Sequence, residues 1–163
     1  ADRTTLVKRI LNFYVSYDHR RGLLNDLVEQ LSAADIDWDE LYMTRDQLHE
    51  LQAAGNIIGS HSISHRVFSK LNPSIQRREI ETSFSDVESA VDELEVKTFC
   101  YPHGGFHTFT DETVAILENV GCEFSFNVES RDISQEDVSE TPQALPRYDC
   151  NEFDHGDASG SLG

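Results

Sequence analysis

The chain has 163 residues, enough for one domain with a real core, and 38% of them are hydrophobic and interspersed with charge, as in soluble globular proteins. Thirteen basic residues against thirty acidic ones give a net charge of -17. Nucleic acid and anionic membrane are therefore poor partners, since phosphate binding needs clusters of Lys and Arg; no apolar run of about eighteen residues predicts a membrane span.

Lys8, Lys70 and Lys97 are the only lysines. Such an acid-rich, Lys-poor composition suits either an ordinary acidic protein or one in salty surroundings, where counterions screen self-repulsion. Cys100, Cys122 and Cys150 form neither a CxxC site nor a disulfide framework, which favours a reducing compartment. The opening Ala1-Asp2-Arg3-Thr4-Thr5 has no initiator Met and no apolar signal core, and reads as a cut end.

Leu6, Ile10, Leu11 and Tyr14 recur at helical spacing, followed by Leu23, Leu24, Leu27, Val28 and Leu31. Gly22 and the stretch Tyr17 to His19 are expected to divide these into two helices. Asp35 to Glu40 is an acidic connector. The next helix opens at Thr44, with Gln47 completing a capping box, and stops at Gly55.

Asn56 to Ser60 reads as a short buried strand, with His61 and His65 directly after it. Asn72 and Pro73 open a long helix with apolar positions Ile75, Ile80, Phe84, Val87, Val91 and Leu94. Thr98 to Tyr101 is a second strand, Asp111 to Val120 a helix ended by Gly121, and Cys122 to Val128 a third strand. Residues 129–143 read as a polar loop, Ala144 to Tyr148 as a fourth short strand, and residues 154–163 as a flexible tail. Strands alternating with helices predict parallel pairing through right-handed crossovers, with ligand sites beyond the carboxyl ends of the strands.

The chemistry-bearing residues sit at those ends. His61 and His65, four apart, put two imidazoles within reach of one divalent metal, and imidazole suits zinc, iron, cobalt and nickel. A bare HxxxH is equally the pattern of two surface or capping histidines; here it follows an apolar strand and a Gly-Ser turn. A catalytic metal needs about three protein ligands and an open position for water, and spacing singles out no third. In Tyr101-Pro102-His103-Gly104-Gly105 the paired glycines allow close backbone approach and N–H groups aimed at an oxyanion; the duller alternative is a tight strand-to-helix turn. His103 is polar lining, an extra ligand or an exposed side chain. Arg147 either orients a carboxylate or lies on a strand edge. His155 reads as solvated.

Taken in order, these runs resemble the polysaccharide deacetylase family related to chitooligosaccharide deacetylase, over residues 41–153. Leu41 to Thr44, the helix ending Ala53-Ala54-Gly55, and Ile58 to His65 are similar to the family's metal motif and its preceding helix. Thr98 to Gly105 is similar to its third motif, and Leu145 to Asn151 to the closing strand of a branch found among bacterial surface-sugar enzymes.

The resemblance implies an α/β fold, a deformed (β/α) barrel, here incomplete and preceded by a helical segment over residues 1–40. It implies metal-dependent removal of an N- or O-acetyl group from a sugar or polysaccharide. The metal would be zinc, with cobalt, iron, nickel or manganese as alternatives, on His61 and His65. His103 and Arg147 would be catalytic, and Tyr101, Pro102 and Gly104 would line the substrate and oxyanion position.

The departures are specific. The family's Thr-Phe-Asp-Asp run, source of its base and third ligand, has no counterpart, because no Asp-Asp pair occurs in the chain. Cys100 stands where an Arg is usual and His103 where a Tyr is usual; Arg147 is the candidate replacement for that Arg. The late Leu-x-His acid is missing unless His155 serves. The expectation is a carboxyl-terminal part of a longer deacetylase. The rivals are a non-catalytic sugar-binding or structural relative, and an unrelated metal hydrolase drawing its third ligand from Asp18 or Asp149.

Overall fold

The computed structural model describes residues 2–30, 42–91 and 93–153. The chain divides into two compact units, Ala1–Gln47 and Leu48–Gly163.

The first unit holds helix α1 (Arg3–Arg9), which runs into one π turn (Ile10–Tyr14), and helix α2 (Tyr17–Gln30). Asp2 caps α1 by accepting from the Thr5 N–H. The break between helices falls at Val15 and Ser16, so the expected division at Gly22 is corrected: Gly22 lies inside α2. The Ser16 carbonyl takes the first N–H groups of α2, from His19 and Arg20, while the Ser16 hydroxyl meets the His19 ring at 2.8 Å. That local capping outweighs one unfavourable glycine, a cost of about 1 kcal/mol. The expected connector at residues 35–40 lies outside the described residues.

Helix α3 (Arg45–Ala53) starts on the anticipated box: the Gln47 N–H donates to the Thr44 hydroxyl and the Thr44 N–H to the Gln47 side chain. Gly55, at φ 88°, ends it.

In the second unit Asn72 caps helix α4 (Pro73–Ala90) by accepting from the Ile75 N–H. Strands β1 (Thr98–Cys100) and β2 (Phe124–Phe126) pair in parallel, with helix α5 (Asp111–Asn119) in the crossover. Phe99 turns to one face of this sheet and meets Phe68, Phe84 and Tyr101 at ring distances of 5.6–6.3 Å. Ile80 and Phe84 of α4 and Ile116 and Leu117 of α5 complete that core. By strand alternation Thr98, Cys100 and Phe126 face the other way and line an open cavity.

Two expected strands shrink to single parallel bridges, Ser60 to Phe99 and Phe126 to Leu145. Ile57 is 69% exposed, so the Asn56–Ser60 run lacks the apolar cover that would extend its pairing. At the other edge Pro142 starts a short 3-10 turn and Pro146 has no N–H to add to a ladder. The second unit thus packs helices against a small parallel sheet.

The expected loop at 129–143 contains a helix, α6 (Gln135–Glu140). Ser134 and Asp137 cap it reciprocally, a local pattern set within a polar run. Cys100, Cys122 and Cys150 are free thiols. No helix among the described residues is long and apolar enough to cross a membrane. The expected tail, with His155, lies outside them.

Candidate metal and sugar site

Three non-glycine residues among those described have positive φ: Ser62 (65°), His65 (50°) and His103 (64°). All three lie in the loops after the Ser60 bridge and after β1. A left-handed backbone costs a non-glycine residue about 1–2 kcal/mol, so the surrounding structure must hold it there.

Glu79 of α4 does much of that holding. It is buried, and its carboxylate accepts from the Ile63 N–H (3.1 Å), the Ser64 N–H (2.9 Å) and the Ser64 hydroxyl (2.6 Å). The Ser62 hydroxyl accepts from the His65 N–H at 3.1 Å. One buried residue earlier in the loop, the Ser60 hydroxyl meets the Ser83 hydroxyl at 2.5 Å. These bonds tie the His61–His65 loop to the helix behind it.

The backbone of Ser60 reaches β1 through Ser60 N–H to Thr98 O and Cys100 N–H to Ser60 O, at 2.8 and 2.9 Å. Gly59 is required for this approach, since a Cβ there would overlap the Thr98 hydroxyl. His61 then turns its ring back so that Nδ1 lies 2.7 Å from the Cys100 carbonyl oxygen. A carbonyl only accepts, so Nδ1 carries a proton, and in the neutral ring the lone pair is then on Nε2. Fixing a tautomer through the second nitrogen is how proteins orient a metal-binding imidazole.

The His61 and His65 rings meet edge to face at 4.8 Å, and the His65 and His103 rings at 4.6 Å. The structure therefore brings together three of the sequence-predicted residues, His61, His65 and His103. The donor chemistry fits two imidazole ligands of a divalent metal. Among the described residues no three His, Cys, Asp or Glu side chains are placed to hold an ion. Asp149 supplies no third donor: it pairs with Arg147 and caps the turn at Cys150. Asp18 likewise belongs to no such group.

The run after β1 splits into two roles. Tyr101 is buried, stacks on Phe109 at 3.8 Å, and donates its hydroxyl to the Gln143 carbonyl at 2.7 Å. Burial pushes that phenol well above its usual range. Pro102 is fully buried as well. Neither residue lines the open cavity, so the expected substrate-facing role of Tyr101 and Pro102 is corrected: both are packed behind the turn. Gly104, at φ 61°, leaves no room for a Cβ against the Val128 side chain, and its carbonyl accepts from the Val128 N–H.

Arg147 enters from the far edge of the sheet. Its N–H donates to the Glu129 carbonyl at 3.1 Å and its guanidinium pairs with Asp149, while its buried Nε makes no hydrogen bond. With His61 and Cys100 it lines the cavity of about 490 Å³ on the open face of the sheet. Burial pushes the Cys100 thiol up, partly offset by the Arg147 charge, so this sulfur stays protonated at neutral pH.

Glu79, Ser83 and Cys100 were not assigned to the site by sequence. Glu79 carried a readable signal: it falls on the apolar stripe of α4, one residue before Ile80, where a carboxylate must find partners.

A family model described as polysaccharide deacetylase matches residues 25–125. No curated protein sequence matches the chain. Among solved structures it is similar to a Streptococcus pyogenes deacetylase, PplD, in complex with acetate. The TM-score is 0.57 at 16% identity, over 74% of this chain and 48% of that one. The chain thus spans about half the length of that neighbour, and the likeness is one of fold.

Proposed function

From its membership of the polysaccharide deacetylase family, we propose that this chain carries the histidine half of a metal-dependent site that hydrolyses an N- or O-acetyl group of a sugar in a polysaccharide or surface glycan. The observation that carries the reading is the orientation of His61. Its Nδ1 is held by the Cys100 carbonyl, its ring abuts His65, and both follow the Ser60 bridge.

His61 and His65 would hold the ion, zinc first, with cobalt, iron, nickel and manganese as alternatives. When bound, such an ion supplies Lewis-acid polarisation and a water of lowered pKa. The chain's own residues do the rest. The His103–Gly104 turn offers backbone N–H groups for the developing oxyanion, and His103 lies beside His65 as a proton carrier. Arg147 orients a carboxylate through its part-exposed guanidinium. Tyr101 and Pro102 shape the turn from behind. We read the four parallel segments as part of a deformed (β/α) barrel over residues 41–153, with 1–40 a helical segment and 154–163 a tail.

Zinc titration by calorimetry, followed by acetate release from N-acetylated sugars, tests this. His61→Ala and His65→Ala should each cut zinc affinity about 100-fold or more. Wild-type protein that takes up no divalent ion would sink the proposal.

A second reading has its own support. No carboxylate among the described residues joins the two histidines in a metal-binding set. A sugar-binding relative without catalysis predicts binding and no turnover. Metal-dependent acetate release by this chain would rule it out.

A further inference from the structure

The open cavity beside His61 does not end at Arg147. Phe126 and Arg147 also line a second cavity of about 580 Å³, which continues past them to Arg131, Asp132 and Tyr148. The two cavities adjoin at these shared residues.

We propose that this second cavity is a subsite for a neighbouring, non-anionic sugar ring of the same glycan, adjacent to the ring whose acetyl group faces His61. The assignment rests on the deacetylase reading above for its orientation. Its own support is threefold. First, Tyr148 is 43% exposed and Phe153 55% exposed, although their rings meet edge to face at 5.7 Å. An exposed aromatic braced by a second ring offers a flat, rigid face to the C–H side of a sugar.

Second, the Tyr148 hydroxyl is 3.1 Å from Asp132 Oδ1, which fixes the ring and places a carboxylate at its rim. No basic side chain among the described residues pairs with Asp132, so its remaining lone pairs are available to sugar hydroxyls.

Third, the charge balance excludes an acidic sugar. Arg131 is taken by Glu129 and by both oxygens of Asp137, and Arg147 by Asp149. With Asp132 and Glu152 added, the rim is net negative. A uronate would be repelled, while a neutral ring or an amino sugar would not.

The test compares binding of N-acetylglucosamine with that of its β-1,4-linked trimer by calorimetry, using the whole chain. The trimer should bind about tenfold more tightly. Tyr148→Ala and Asp132→Ala should each remove about three- to tenfold of that gain and leave the monosaccharide unaffected, while Tyr148→Phe keeps the stacking part. Both side chains are exposed, and circular dichroism checks that the variants fold. Equal binding of monosaccharide and trimer, no binding of the trimer, or a trimer gain indifferent to Tyr148→Ala would overturn the subsite.

Zinc binding, read in parallel, separates the two proposals. A Tyr148-dependent trimer gain without zinc uptake keeps the subsite and removes the hydrolase reading. Zinc uptake dependent on His61, with no trimer gain, does the reverse.

Discussion

Single residues decide whether the candidate site can form. Gly59 and Gly104 stand where side chains do not fit: a Cβ would overlap Thr98 at the first and Val128 at the second, and Gly104 also has positive φ. Gly59→Ala and Gly104→Ala should each lower stability by about 1–3 kcal/mol, measured by urea unfolding. Wild-type midpoints for both would contradict this packing. Glu79 is the other sensitive position, because three donors of the His61–His65 loop converge on it. Glu79→Ala leaves two backbone N–H groups and a hydroxyl without their acceptor. Zinc affinity should fall about 10- to 100-fold with His61 and His65 intact, and an unchanged affinity would show that the loop holds itself.

At the scale of elements, the stretch from Glu129 to Thr141 is held by ionic and polar bonds rather than by a core. Arg131 binds Asp137 through two bonds of 2.7 Å, and Asp137 also accepts from the Ser134 N–H and hydroxyl at the start of α6. These bonds, Arg131 first, hold the Asp137 carboxyl well below the usual range. A depressed folded value contributes stability above the unfolded carboxylate value of about 4, lost as pH falls through the folded one. Asp137→Asn should therefore remove part of the acid sensitivity of unfolding below about pH 4 and leave its shape at higher pH unchanged. An acid limb identical in the variant would contradict this. The pair is solvent-accessible, so the effect should shrink with salt.

For the molecule as a whole, charge is the dominant bulk property. Thirty acidic residues against thirteen basic ones repel one another wherever the chain is compact. Screening should relieve that repulsion, so the melting temperature should rise as sodium chloride goes from about 0.05 to 1 M, across which the Debye length falls from over 10 Å to about 3 Å. A flat curve would mean that the charges are already well spread. The prediction concerns stability alone and is independent of the site.

What could be read in the sequence is local by nature. Asn72-Pro73, Thr44 with Gln47, and Gly55 mark helix ends because capping involves residues within four of one another. The pair His61 and His65 was legible because its ligand spacing is also local, and the ordered motifs pointed to the family that the match over residues 25–125 supports. The Ser134 to Asp137 box is just as local, but it lies in a polar run with no apolar periodicity to mark a helix.

Tertiary structure alone decided the rest. The proton of His61 is placed by a carbonyl 39 positions away, and the loop is held by a glutamate 16 positions from Ile63. Tyr101 faces the core, not the cavity, because Gln143 supplies its acceptor from 42 positions away. The expected strands at Asn56–Ser60 and Ala144–Tyr148 are single bridges because pairing needs neighbours and cover on both sides, which no run of apolar letters can guarantee. Sequence by itself determined which residue types are present and where the capped helices α3 and α4 begin. Which side chains meet across the sheet was decided by long-range packing, because hydrogen bonds form between atoms that are close in space, whatever their separation along the chain.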